Sequence, residues 1–409
     1  MSNYREYSRI RQIPQKRKNL PNKRRISSSS FNMREYDLII FVSTIVLVSI
    51  GLIMVLSASH YASLNIRGDI FAFFTTQALG VGLGLFGMFF AATIDFRIFA
   101  KFSFLFYVIA NFMLVDVLFR GITVGGATRW INYFGVQFQP SEFAKAAVIL
   151  FLATYIASDT NRVSTLKGLF GSALIVGIPI ALVALGGNLS TVLILAALGF
   201  IMIFLASPYF WRFFAVALVG VAALVAFLVV DYFVTGGFRG MRFIVWQDPF
   251  SDPQGIGFQT VQSLYAIASG GLFGLGLGNS VQKLFYLPEA HNDFIFAILV
   301  EELGLFGGFL VLLFFGILVW RGVMVAIKSK SILGCLIASG IVTLISVQVI
   351  INVGVVTNTI PNTGIPLPFI SYGGTSIAVT MTMIGVLLSV SRGQLQSKKP
   401  SNTNVRKFS

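Results

Sequence analysis

Apolar stretches of about twenty residues recur along the chain and are separated by shorter polar segments. A helix rises about 1.5 Å per residue, so about 20 apolar residues cross the roughly 30 Å hydrocarbon core of a bilayer. Ten stretches are long enough: 38–58, 71–92, 98–118, 140–157, 168–185, 189–206, 211–231, 292–320, 332–356 and 370–391. The pattern therefore predicts an all-α polytopic membrane protein. Because the number of spans is even, both termini should lie on one side of the membrane.

Composition supports this prediction and excludes an ordinary soluble enzyme. Of the 409 residues, 56% are hydrophobic and only 11% are charged, whereas soluble domains carry about 25% charged residues. The single cysteine, Cys335, excludes an intramolecular disulfide. Two histidines, His60 and His291, are too few for a Cys/His zinc site.

The distribution of positive charge predicts the orientation. With the N-terminus inside, 23 of the 30 Lys and Arg residues fall in cytoplasmic segments and six fall outside, as the positive-inside rule requires. Both termini are therefore expected in the cytoplasm. We expect a basic, disordered tail at 1–36, a membrane domain at 37–392 and a C-terminal tail at 393–409. Since the net charge of +15 collects at the inner face, anionic lipid is a better partner for it than nucleic acid.

The longest connection, about residues 232–291, is predicted to face outside and to carry function, because it is much longer than a connection needs to be. It contains Trp246, Gln259 and a Gly-rich apolar stretch at 268–276. Glycines in this pattern favour a tight re-entrant turn over an anion-binding nest, since no Rossmann strand or Walker lysine accompanies them.

Few charges interrupt the predicted spans, and each is notable because an ionisable group in hydrocarbon costs roughly 2.5–3.5 kcal/mol. Glu142 and Lys145 are three residues apart, hence on one helix face, and could bind a ligand or simply neutralise each other. Glu301 and Glu302 are interpreted as part of a polar network rather than as catalytic groups. Asp293 opens the eighth span.

Three predicted spans begin at the outer face with polar sequence: Gln139–Glu142, His291–Asp293 and Ser371–Ser376. Helix N-termini carry partial positive charge and attract anions. If these ends converge, they form an outward-facing site for an anionic group, such as a lipid-linked phosphate or pyrophosphate, with one carboxylate available as a base. The alternative is that Pro, Ser and Asp merely cap three separate helices.

These residues carry a resemblance to a known family. The segments Gly126–Ile131 with Phe138–Lys145, Tyr286–Phe296 with Glu301–Gly304, and Pro368–Ser376 are similar to three signatures of the SEDS family, the shape, elongation, division and sporulation proteins. The resemblance covers nearly all of 37–392. Within the family, Leu277–Lys283 looks most like the division protein FtsW.

The resemblance implies a peptidoglycan glycosyltransferase that polymerises lipid II at the outer face of the cytoplasmic membrane during septal wall synthesis. It further implies a class B penicillin-binding protein and other divisome proteins as partners, a location at the division site, and no organic cofactor. Asp293 matches the essential carboxylate of the family, and a divalent cation, Mg²⁺ or Mn²⁺, could assist. A lipid II flippase and a non-catalytic divisome scaffold are the alternatives.

The remaining candidate residues are expected to bind substrate: Arg129, Lys145, Glu142, His291, Ser371, Tyr372, Gly373 and Gly374. The chain departs from the family pattern at Asn188, where many relatives have an aspartate. The role of that aspartate is therefore not transferred.

Overall fold

A computed structural model of the chain describes residues 36–124, 127–133, 136–207, 245–284 and 286–396. Within these ranges the chain is a bundle of helices: α1 Leu38–Arg67, α2 Ala72–Thr93, α3 Phe96–Lys101, α4 Ser103–Arg120, α5 Pro140–Ser158, α6 Leu166–Leu185, α7 Leu189–Ala206, α8 Phe258–Gly270, α9 Ile295–Lys328, α10 Ile332–Val356 and α11 Gly374–Gln396.

Nine helices in the described ranges are long and apolar enough to cross a membrane, namely all of these except α3 and α8. They confirm nine of the ten predicted spans, while the predicted span 211–231 lies outside the described residues. Some boundaries differ from the prediction. The stretch 98–118 is interrupted at Phe102, between α3 and α4. Helix α11 continues to Gln396, so it runs past the expected end of the membrane domain at 392.

A small antiparallel sheet connects α4 to α5, and the hydropathy pattern did not predict it. Its strands, in the order β1 Ile122–Val124, β2 Ala127–Tyr133 and β3 Val136–Phe138, form two consecutive hairpins. The backbone N–H of Thr128 donates to the carbonyl of Gly186, at 2.9 Å. This bond fixes β2 against the connection between α6 and α7, so that Arg129 is held over the end of the bundle.

Helices α2 and α11 pack closely because glycines remove the side chains between them. A Cβ added at Gly80 would lie 2.6 Å from the carbonyl oxygen of Gly374, and one at Gly84 would lie 2.7 Å from Sδ of Met381. Small residues four apart allow membrane helices to approach in this way. The close approach brings the first turn of α11 against α2.

Helix α9 is broken at Gly304, where φ is 72° and ψ is 179°, a conformation that is essentially restricted to glycine. The loop after α8 pairs with this break. The N–H groups of Leu275 and Gly276 donate to the carbonyls of Glu301 and Glu302, at 2.9 and 3.0 Å. Irregular backbone at membrane depth requires such partners because no water can supply them.

Helix α8 and this loop lie in the long connection predicted over 232–291, of which the structure describes 245–284 and 286–291. Since the loop pairs with α9 inside a membrane span, it reaches the depth of the bilayer, as a re-entrant turn does. Phe273 is 84% exposed and Leu272 is 65% exposed. Large apolar side chains at this depth would contact lipid rather than water.

Candidate functional site

The start of α9 is tied to the segment that precedes α11. The N–H of Tyr372 donates to the carbonyl of His291 at 3.0 Å. The hydroxyl of Ser371 donates to the carbonyl of Asn292 at 2.7 Å and accepts from the N–H of Leu367 at 2.7 Å. Two of the three polar helix ends therefore meet.

A buried glutamine in α2 holds this segment from the other side. The side-chain amide of Gln77 donates to the carbonyl of Ser371 at 3.2 Å, and its oxygen accepts from the N–H of Gly373 at 2.8 Å. The ring of Phe73, one turn earlier in α2, lies 4.9 Å from the rings of both His291 and Tyr372. These contacts fix the orientation of both predicted site residues.

The first turn of α5 joins the first turn of α11 through Glu142. Nζ of Lys145 lies 2.8 Å from Oε1 of Glu142, and the hydroxyl of Ser376 donates to Oε2 of Glu142 at 3.0 Å. Both charged side chains are buried, at 4% and 2% exposure for Glu142 and Lys145. The two residues neutralise each other, as one of the two interpretations of their spacing expected. All three helix ends thus converge at one end of the bundle.

Several polar atoms at this convergence are buried without a hydrogen-bond partner in the described part of the chain. They are Nε of Arg129 in β2, the hydroxyl of Ser141 in the first turn of α5 and the hydroxyl of Thr375 in the first turn of α11. Buried polar atoms normally have partners. Three unpaired donors beside helix N-termini are the arrangement expected where an anion binds.

Arg129 and Ser141 also line one small cavity, together with Asn188. The side chain of Asn188 caps α7 by accepting from the N–H of Thr191, at 3.3 Å. The position where many family members have an aspartate is therefore next to Arg129.

Asp293 lies two residues before the start of α9 and is partly buried. Its backbone carbonyl accepts from the side-chain amide of Asn352 at 2.7 Å. A Cβ added at Gly364 would come within 3.0 Å of Oδ2 of Asp293, so the segment between α10 and α11 passes directly beside the carboxylate. Gly364 has φ of 66°, a value that favours glycine there.

Burial, and secondly the nearby Glu289 carboxylate, raise the pKa of Asp293 to about 6, against the opposing effect of the Arg129 guanidinium. Asp293 is thus ionised at neutral pH but more basic than an ordinary aspartate. Burial lowers the pKa of His291 below its usual value, which Glu289 partly offsets. His291 is therefore neutral under the same conditions.

Three residues in the site were missed by the sequence analysis: Glu289, Gln77 and Asn352. Gln77 and Asn352 are the kind of polar residue inside a span that the search for charges ignored, although buried amides in membrane helices usually bind backbone or other helices. Glu289 has φ of 56°, and its side chain accepts a hydrogen bond from the side chain of Asn292.

Glu301 and Glu302 form the polar network that was predicted for them. Glu302 pairs with Lys283, whose Nζ lies 2.8 Å from Oε1, and both contact the hydroxyl of Ser57 in α1. Glu301 accepts from the N–H of Val281 at 2.9 Å. These carboxylates thus hold the re-entrant loop to α9.

The described residues contain no group of three His, Cys, Asp or Glu side chains placed to bind a metal. Mg²⁺, however, is commonly held by one or two carboxylates together with substrate phosphates. Asp293 and Glu289 provide two carboxylates, which lie close enough for Glu289 to raise the pKa of Asp293. The site therefore fits a divalent cation only if the substrate supplies further oxygens.

Comparison with known proteins decides the family. The model of the FtsW/RodA/SpoVE family, described as cell cycle protein, matches residues 37–396. The chain belongs to this family. The resemblance inferred from the three sequence signatures is thereby confirmed.

Two relatives indicate the range of roles within the family. "Stage V sporulation protein E" of Bacillus subtilis is 41% identical over 359 residues, which cover 87% of this chain and 97% of that protein. "Probable peptidoglycan glycosyltransferase FtsW" of Geobacter sp. is 37% identical over 362 residues, which cover 87% of this chain and 96% of that protein. The chain is thus similar both to a sporulation protein and to an FtsW protein.

Two solved structures share the fold. A chain from "Structural coordination of polymerization and crosslinking by a peptidoglycan synthase complex" superposes with a TM-score of 0.73 at 25% identity, covering 88% of this chain and 98% of that chain. The crystal structure of the rod shape determining protein RodA of Thermus thermophilus gives a TM-score of 0.65 at 25% identity, covering 88% and 97%. The all-helical membrane fold is thus common to the family.

The buried Glu142–Lys145 pair gives a stability prediction. Glu142→Gln and Lys145→Met should each lower the free energy of unfolding by about 3–5 kcal/mol, because each leaves a buried charge without its partner. The double variant should recover most of this loss, since it leaves no unpaired charge. Unfolding in detergent micelles measures all three.

The matched control is the exposed pair of Arg162 and Asp159, whose side chains are 39% and 51% accessible. Asp159→Asn should change the free energy of unfolding by no more than about 1 kcal/mol. Single variants at Glu142 and Lys145 that are as stable as this control would show that the buried pair does not stabilise the site.

Proposed function

We propose that this protein is a peptidoglycan glycosyltransferase that polymerises lipid II into glycan strands at the outer face of the cytoplasmic membrane. One observation carries the proposal: Asp293, with its raised pKa, lies beside three converging helix N-termini. Membership of the family and the name of the FtsW relative support the same activity.

Asp293 is the proposed general base. A hydroxyl of the acceptor sugar gives its proton to the carboxylate, and the hydroxyl oxygen attacks the anomeric carbon of the donor sugar. The bond from that carbon to the pyrophosphate oxygen breaks, and the pyrophosphate leaves with the bonding electrons, so the configuration inverts. A base is most effective when its pKa lies near the working pH, and a pKa of about 6 meets this requirement.

The leaving pyrophosphate needs positive charge and hydrogen-bond donors. Arg129 supplies the guanidinium, and the hydroxyls of Ser141 and Thr375 are buried donors at helix N-termini. Preorganised donors of this kind stabilise charge that develops in the transition state. In the alternative role, Asp293 would instead hold a divalent cation together with Glu289, and that cation would neutralise charge on the leaving group. Because Lys145 is paired with Glu142, it would act on the leaving pyrophosphate through the electric field of the pair rather than through direct contact.

The position of the site favours a polymerase over a flippase. The polar groups collect at one end of the bundle, where α5, α9 and α11 begin, and the excess of Lys and Arg in the opposite connections predicts that this end is at the outer face. A flippase would need a polar path for the headgroup through the inner half of the bilayer as well. A scaffold would need neither the basic carboxylate nor the unpaired donors.

Asp293→Asn should abolish glycan synthesis. Loss of a general base costs about 10²–10⁴ in rate, while the amide keeps the size of the side chain. The measurement is polymerisation of labelled lipid II by the full chain with its cognate transpeptidase, with the glycan strands resolved on a gel.

The matched control is Asp69→Asn, which neutralises an exposed carboxylate at the same end of the bundle, in the connection between α1 and α2. The control should polymerise at the wild-type rate. Equal activity of wild type and Asp293→Asn would remove Asp293 from the chemistry, and an inactive wild type that transports lipid II would favour the flippase.

A class B penicillin-binding protein is the proposed partner, because a chain of a solved peptidoglycan synthase complex that coordinates polymerization and crosslinking shares this fold. We further propose that the protein acts with other divisome proteins in septal wall synthesis, on the basis of the FtsW-like segment Leu277–Lys283. The 41% identity to a sporulation protein favours spore formation as the second candidate.

Depletion of the protein in growing cells separates these roles. A septal polymerase should give filaments without septa within a few generations, because wall synthesis at the division site stops while elongation continues. Normal division combined with a failure to form spores would instead assign the protein to sporulation. Cell length and spore counts are the readouts, with re-expression of the wild-type protein as the control.

A further inference from the structure

A second cavity, of ≈ 300 Å³, opens beside the start of α8 and is separate from the small cavity at Arg129. Its lining includes Trp246, Phe258, Gln259, Pro288 and Asn362. None of the described residues that line it is ionisable. A described lining of aromatic and amide side chains without an ionisable group fits a neutral polar ligand better than a phosphate or a carboxylate.

Trp246 is held in one orientation. Its indole N–H donates to the carbonyl of Asn358 at 3.0 Å, and the side-chain amide of Asn358 donates back to the carbonyl of Trp246 at 3.3 Å. A fixed indole offers a flat apolar surface at little cost in conformational entropy. The C–H face of a pyranose ring is the complementary flat surface on a neutral polar molecule.

The two amides in the lining are already paired. The side-chain N–H of Asn362 donates to Oε1 of Gln259 at 2.8 Å. This bond uses one end of each amide and leaves the NH₂ group of Gln259 as donor and the oxygen of Asn362 as acceptor. An acetamido group carries one acceptor, its carbonyl oxygen, and one donor, its N–H, which match the groups that the two amides leave available.

The cavity adjoins the proposed reaction centre through two chain segments. Pro288 in its lining precedes Glu289, which raises the pKa of Asp293. Asn362 in its lining lies two residues before Gly364, whose added Cβ would be 3.0 Å from Oδ2 of Asp293. A saccharide in this cavity could therefore continue toward the carboxylate.

We propose that this cavity is a saccharide subsite that binds an N-acetylhexosamine unit, with the sugar ring on Trp246 and the acetamido group on Gln259 and Asn362. The assignment rests on the proposed glycosyltransferase function, which supplies a substrate and a product made of such units. Two sources share this chemistry: the lipid-linked monomer and the growing glycan strand.

Binding of labelled tri-N-acetylchitotriose to the full chain in nanodiscs tests the subsite without lipid, pyrophosphate or turnover. Trp246→Leu should bind the probe about five- to tenfold more weakly, the scale expected from loss of an aromatic stacking contact. Trp246→Phe, which keeps an aromatic face, should recover part of the affinity. Gln259→Leu should reduce the preference of the protein for tri-N-acetylchitotriose over cellotriose, which lacks acetamido groups.

The matched control is Tyr265→Leu, which removes an aromatic side chain that is 49% exposed on α8 and does not line the cavity. It should bind the probe as the wild type does. Probe binding that is absent in the wild type, or that is equal in wild type and a folded Trp246→Leu variant, would overturn the subsite. Unfolding midpoints of all variants show which of them are folded.

Polymerisation of lipid II by the folded variants identifies the source of the sugar. Shorter strands at an unchanged KM for lipid II assign the subsite to the growing strand, whereas a raised KM at unchanged strand length assigns it to the lipid-linked monomer. A wild-type protein that binds the probe through Trp246 but makes no glycan would refute the proposed function alone. A protein that makes glycan with no dependence on Trp246 in either assay would refute the subsite alone.

Discussion

Irregular backbone can lie within a membrane bundle only where other groups of the protein satisfy its hydrogen bonds, and this constraint organises the site. The segment before α11 is not helical, yet it lies against the starts of α2 and α9. The side chain of Gln77 bonds the carbonyl of Ser371 and the N–H of Gly373 in this segment. The side-chain amide of Asn352 donates to the carbonyls of Asp293 and Ile365, each at 2.7 Å. Because one amide links the two segments, the position of Asp293 depends on contacts from other helices rather than on α9 alone.

Buried charges in the bundle likewise need partners within the protein. Lys145 is paired with Glu142, and Lys283 is paired with Glu302, so these buried charges are neutralised within the bundle. Asp293 differs because a second carboxylate, Glu289, lies near it, and the opposing effect of Arg129 does not cancel the effect of burial. The described part of the site thus contains paired charges that hold helices together. It also contains one carboxylate, that of Asp293, whose raised pKa suits it to act as a base.

The sequence could predict the helices and the polar helix ends because both are local patterns. A run of apolar residues and a Pro-Ser-Glu or Tyr-Gly-Gly sequence can be recognised without knowing what packs against them. The helix α8, the break at Gly304 and the hairpin that carries Arg129 could not be predicted in this way, because each depends on contacts between distant segments. The bonds from the loop after α8 to Glu301 and Glu302, and from Thr128 to Gly186, are examples. Gln77 and Asn352 were missed for a related reason, since an uncharged polar residue in a span does not reveal its partner.

The dependence of lipid II polymerisation on pH tests most directly whether Asp293, in this environment, is the base. The carboxylate must be ionised to accept a proton, so kcat/KM should fall as the pH drops through about 6, the pKa of Asp293. Glu289→Gln removes a negative charge that raises this pKa, so the midpoint should move to lower pH. A profile that is flat through this range, or one whose midpoint does not move in Glu289→Gln, would contradict the account.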